Sequence, residues 1–128
     1  MKRMLLILLA LSMLITQSAW AEKLTVVSGT KAESGDNTLI SAPGAGNMVV
    51  IRKIQIQNES TTSTTVLLKN GSTAMYRAIL TSQGSGVLLD FDKDSNQMQL
   101  SPNSALVLNL GGANSHNYTV WYVVEKMR

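Results

Sequence analysis

Three aspartates at alternate positions, Asp90, Asp92 and Asp94, are the residues whose spacing best suits chemistry. Hard oxygen ligands at every second residue suit calcium, and this is the spacing that opens a calcium-binding loop. The pattern then departs: Ser95 stands where glycine would make the sharp turn, and Ser101 where a bidentate glutamate would close the shell. The competing reading is a solvated acidic turn that keeps a strand edge soluble. His116 is the sole histidine. No G-x-S-x-G elbow accompanies it to make it the base of a serine hydrolase, and its Gly/Asn/Ser surroundings read as a solvated turn. Eight acidic residues would suffice for the paired carboxylates of a glycosidase, but no spacing sets two of them opposite each other. Trp121 is the best surface aromatic for stacking on a sugar, whereas Tyr118 and Tyr122, on the other parity, are expected in the core.

Composition narrows the classes further. The 128 residues include no cysteine, which excludes disulfides, a thiol nucleophile and a lipid-anchored cysteine. No cofactor is expected, with calcium the one candidate. Lys2 and Arg3 precede an apolar run from Met4 to Ile15, and Ala19-Trp20-Ala21 places small residues where a signal peptidase reads. Twelve helical residues reach about 18 Å, short of the roughly 30 Å hydrocarbon core. Residues 1–21 are therefore read as a cleaved secretory signal and 22–128 as a single domain, exported to the periplasm or the exterior. Without Lys2 and Arg3 the formal charge falls from +3 to near neutrality, so nothing marks a nucleic-acid surface. No second run is long enough to span a membrane.

What must position these side chains is β-structure, because the dominant period of residues 22–128 is two. Strands are expected over Leu24 to Ser28, Thr38 to Ser41, Met48 to Gln57, Thr64 to Lys69, Thr73 to Thr81, Val87 to Phe91, Gln97 to Leu100, Leu106 to Leu110 and Tyr118 to Glu125. Asn70-Gly71 marks a tight hairpin turn. Arg52 falls on the apolar parity of its strand and interrupts it. Ser60 to Thr65 is a run of hydroxyl side chains suited to local hydrogen bonding. Eight or nine short strands separated by turns imply an all-β antiparallel sandwich of jelly-roll type. Leu67, Leu88, Trp121 and Val123 interrupt the polar faces of their strands, which means either cover by another element or a subunit interface.

Val50-Ile51-Arg52-Lys53-Ile54-Gln55-Ile56-Gln57-Asn58 with Thr65-Val66-Leu67-Leu68-Lys69-Asn70-Gly71 resembles a phrase of small β-sandwich modules in phage virions and on cell surfaces. Leu100 to Leu108 and Tyr118 to Glu125 look like the closing strands of such modules. The resemblance spans Met48 to Glu125 and implies no functional residue. It fits a non-enzymatic structural or interaction module, a subunit that self-assembles or binds a protein partner. A carbohydrate- or ligand-binding module is the second reading. Lys23 to Ser28 is the candidate for strand donation to a neighbour, against pairing within its own sheet.

Overall fold

The computed structural model describes residues 23–91 and 98–127. The proposed signal segment, Asp92 and Asp94 lie outside the described residues. Nine strands order the described chain: β1 (Thr25–Lys31), β2 (Gly35–Ile40), β3 (Asn47–Asn58), β4 (Thr64–Asn70), β5 (Thr73–Leu80), β6 (Gly86–Asp90), β7 (Met98–Gln99), β8 (Leu106–Leu110) and β9 (His116–Lys126). They form two antiparallel sheets. Sheet A runs β1-β9-β3-β6, with β7 also paired to β3, and sheet B runs β2-β8-β4-β5.

This order arises from a chain doubled back on itself. β4 pairs β5 across the two-residue Gly71-Ser72 turn, and Gly71 takes the φ of 57° that the tight turn needs. Outward from that tip, β3 pairs β6, β2 pairs β8 and β1 pairs β9. Successive pairs fall in alternate sheets, and contacts of β9 with β3 and of β8 with β4 join them. That is jelly-roll connectivity. β1 thus pairs within its own chain over Thr25 to Lys31, and it lies at the edge of sheet A.

The core follows from the period. Val66 and Leu68 of β4, Leu106, Leu108 and Leu110 of β8, Ile54 and Ile56 of β3, and Tyr118 and Val120 of β9 meet between the sheets. Burying a leucine or isoleucine side chain here contributes roughly 1.5–3 kcal/mol. Arg52 owes its anomalous parity to a bulge. The β3–β9 register slips between Ile51 and Lys53, so Val49 and Ile51 point inward before it and Ile54 and Ile56 after it. Val50 therefore does not share the face of Ile54, as the simple alternation implied. Val50 and Val123, directly paired, lie outside the main core although both are buried.

Two other expectations are corrected. β1 and β2 each run longer than the sequence implied, leaving only residues 32–34 between them in place of residues 29–37. His116 is not a solvated turn residue: it opens β9 and is fully buried. Its inward parity, shared with Tyr118, overrides the polar character of the loop before it.

Candidate binding face

Strand register assembles side chains that the sequence keeps far apart. On the outward face of sheet A, three rows cross β1, β9, β3 and β6. The first holds Thr30, Asn117, Gln57 and Gly86, the second Ser28, Thr119, Gln55 and Leu88, and the third Val26, Trp121, Lys53 and Asp90. Neighbouring strands lie about 4.8 Å apart, and same-face residues along a strand roughly 7 Å apart. The first two rows thus form a compact grid of four strands whose side chains are uncharged.

The grid is partly held in place. Thr30 Oγ1 donates to Asn117 Oδ1 at 2.6 Å, and Gln57 Nε2 donates to the Gly84 carbonyl at 3.4 Å. Two shallow depressions flank β3. One, of about 140 Å³, is lined by Gln55, Gln57, Asn117, Tyr118 and Thr119. The other, of about 170 Å³, lies toward Gly84, Gly86 and Leu88. Gln55 and Gln57 stand between them as a ridge. Gly86 leaves the second depression open for a backbone reason: a Cβ there would sit 2.6 Å from the Ile56 carbonyl oxygen.

The third row closes the grid with charge and an aromatic ring. Trp121 is half-buried, and the Lys53 ammonium lies 5.4 Å from its ring centroid, within cation–π range. Lys53 also lies 3.8 Å from Asp90, an exposed pair of small energetic weight. Of the three aspartates, Asp90 is thus on β6 beside Lys53. Among the described residues no group of three or more His, Asp or Glu side chains could hold a metal. Tyr118 is in the core, while Tyr76 and Tyr122 pack against it.

Sheet B presents a different outward face. Lys69 Nζ donates to Asp36 Oδ2 at 2.6 Å and Asn109 Nδ2 to Asp36 Oδ1 at 2.6 Å. The Lys69 hydrogen bond, followed by that of Asn109, holds the Asp36 carboxyl below its ordinary value of 3.8. Leu67, Val107 and Arg77 share this face with them.

One end of the sandwich is a buried polar knot. Asn58, fully buried at the end of β3, donates through Nδ2 to the Thr62 and Leu80 carbonyls and accepts from the Ser60 backbone at Oδ1. Its backbone pairs with Ser85 and Gly84. Asn114 accepts from Ser60 Oγ and donates to Thr64 Oγ1. The hydroxyl run from Ser60 thus ties the end loops together, as local hydrogen bonding implies. His116 meets the Asn114 carbonyl through Nδ1 at 2.7 Å. A carbonyl only accepts, so Nδ1 carries the proton. His116 lines neither of the two depressions on sheet A.

The sequence named Trp121 but not the grid beside it. Uncharged polar residues at alternate positions of β3 and β9 were the available signal. Their union became visible only when β9 was placed between β1 and β3.

No protein-family model matches the chain, and no curated protein sequence matches it. Among solved structures it is similar to the virus-like particle of the extra small virus of giant freshwater prawn, Macrobrachium rosenbergii. That likeness has 10% identity and a TM-score of 0.42, covering 79% of this chain and 77% of that one. It is also similar to a subunit of Bacillus endospore appendages, described as a novel family of disulfide-linked pili. There the identity is 12%, the TM-score 0.39, and the coverage 80% and 87%. PirA is similar at 15% identity and a TM-score of 0.34, covering 84% and 98%.

Proposed function

We propose that the chain is an exported, non-enzymatic structural module that joins neighbouring copies through its sheet edges. The observation that carries this reading is where the exposed apolar side chains lie. Leu24 and Val26 sit at β1, Leu88 on β6 and Ile79 on β5, each more than half exposed. All three strands are sheet edges. Val124 and Met127 add to the β1 corner, where β9 continues past the last residue paired with β1. Exposed edges normally carry charge, because unpaired backbone groups template another strand. These edges carry exposed apolar groups beside a single charge each, Lys31 on β1, Arg77 on β5 and Asp90 on β6.

The topology supports side-by-side joining. With β1, β9, β3 and β6 antiparallel in turn, the two edge strands run in opposite directions. A second copy in the same orientation therefore offers β1 antiparallel to β6 of the first. Such a contact is heterologous and extends into a row or closes into a ring.

Light scattering on the purified protein, with Val26→Lys as the perturbed form, tests this. The expected result is a mass of several chains for the wild type and of one chain for Val26→Lys, with the same circular dichroism. A wild type that runs as a single chain at every concentration would overturn it.

A further inference from the structure

We infer that the outward face of sheet A, over the rows of Ser28 and Thr30, is a binding site for a neutral carbohydrate. The inference does not rest on assembly: all its residues lie on one chain, although the outer strands of the face, β1 and β6, are the edges at which copies are proposed to join.

The side chains of β1, β9 and β3 in these rows are Ser28, Thr30, Asn117, Thr119, Gln55 and Gln57. All are hydrogen-bonding and none is charged. A solvated sheet face with no partner has no need to avoid charge, and the outward face of sheet B carries Asp36, Lys69 and Arg77. Lys53 and Asp90 face each other at 3.8 Å in the row beyond Gln55, and Glu59 stands two residues beyond Gln57, its backbone N–H bonded to the Ser115 carbonyl. Within the two rows themselves no side chain is charged, which suits a ligand without charge.

The groups are also suitably disposed. The bond from Thr30 uses Asn117 Oδ1 and not its Nδ2 donors, and the side chains of Gln55 and Thr119 bond to no other described residue. Amides offer a donor and an acceptor side by side, the pairing that vicinal hydroxyls of a sugar complement. Leu88, 57% exposed, borders the second depression and offers an apolar surface to the C–H face of a ring. An extended peptide is the less suitable occupant. β9 and β3 have neighbours on both sides, so their main-chain groups are already paired, and strand addition needs an edge.

Calorimetric titration with neutral oligosaccharides tests the inference. The probes are the hexamers of β-1,4-glucan, α-1,4-glucan, chitin and β-1,4-mannan. A sulfated heparin hexamer and an uncharged Ser/Gln hexapeptide serve as contrasts. At least one neutral sugar is expected to bind with a dissociation constant of about 1 mM or tighter, and Gln55→Ala and Gln57→Ala to weaken it about tenfold each. Thr38→Ala and Ile79→Lys, both on sheet B, should leave it unchanged. Absence of binding by all four neutral sugars overturns the inference. So does equal binding by wild type and both glutamine variants, or preference for the heparin or peptide probe.

Discussion

Gln57 and Asn58 are neighbours on β3 and carry the same amide group, yet they belong to different parts of the molecule. Asn58 points inward, is fully buried and is tied to Thr62, Leu80 and Ser60. Gln57 points outward into the neutral grid, and among the described residues its side chain makes only the long bond to Gly84. Pleating sends adjacent side chains to opposite faces. One amide thereby becomes scaffold and the next becomes available to a ligand. The energetics diverge for the same reason. A buried polar group costs free energy when its partner is lost, whereas an exposed one exchanges that partner for water.

The largest expected effect follows from the inward amide. Asn58→Ala strands the Ser60 amide and two carbonyls, and urea unfolding should register a loss of about 2–3 kcal/mol. A loss as small as that of a surface substitution would break the comparison. Gly86→Ala comes next. Its Cβ would press on the Ile56 carbonyl, so β6 must move from β3 at a cost of about 1–3 kcal/mol. The same denaturation series should show it, and any sugar binding beside Gln57 should weaken with it. Gln57→Ala should change stability by no more than about 0.5 kcal/mol while weakening sugar binding about tenfold, so thermal melts and titration must dissociate.

The outward face of sheet B sharpens the contrast with the neutral grid. Lys69 and Asn109 hold the Asp36 carboxyl below its usual range. A carboxyl with a lowered folded value contributes stability that is fully present above 3.8 and disappears as pH falls through the folded value. Acidification below that point should lower the melting temperature of the wild type more than that of Asp36→Asn. The effect is small because the pair is exposed. Gln55→Ala, in a patch without titratable side chains, should leave the pH profile as it is. Parallel acid profiles for wild type and Asp36→Asn would remove the pair from account.

Much of the architecture was legible from local chemistry. Alternation placed Leu106, Leu108 and Leu110 inside, and Asn70-Gly71 located the tip about which the chain doubles. Turn residues and period are properties of short segments, so they survive without knowledge of the fold. The failures came where one residue changed parity or context. The bulge at Arg52 reversed which of Val50 and Ile51 faces inward. His116 read as loop because its neighbours are polar, and it is buried because β9 begins two residues earlier than its apolar pattern does.

The amino-acid order alone determined that this chain makes strands, which side chains of most strands point inward, and that nothing in it composes a familiar catalytic motif. Those are matters of steric preference and period along the backbone. Only the tertiary structure decided that Asn117 and Thr119 stand beside Gln55 and Gln57, and that the exposed apolar groups of β1, β5 and β6 all fall on edges. Pairing between strands about 60 residues apart depends on how the two sheets share one core, and no local rule of spacing encodes it.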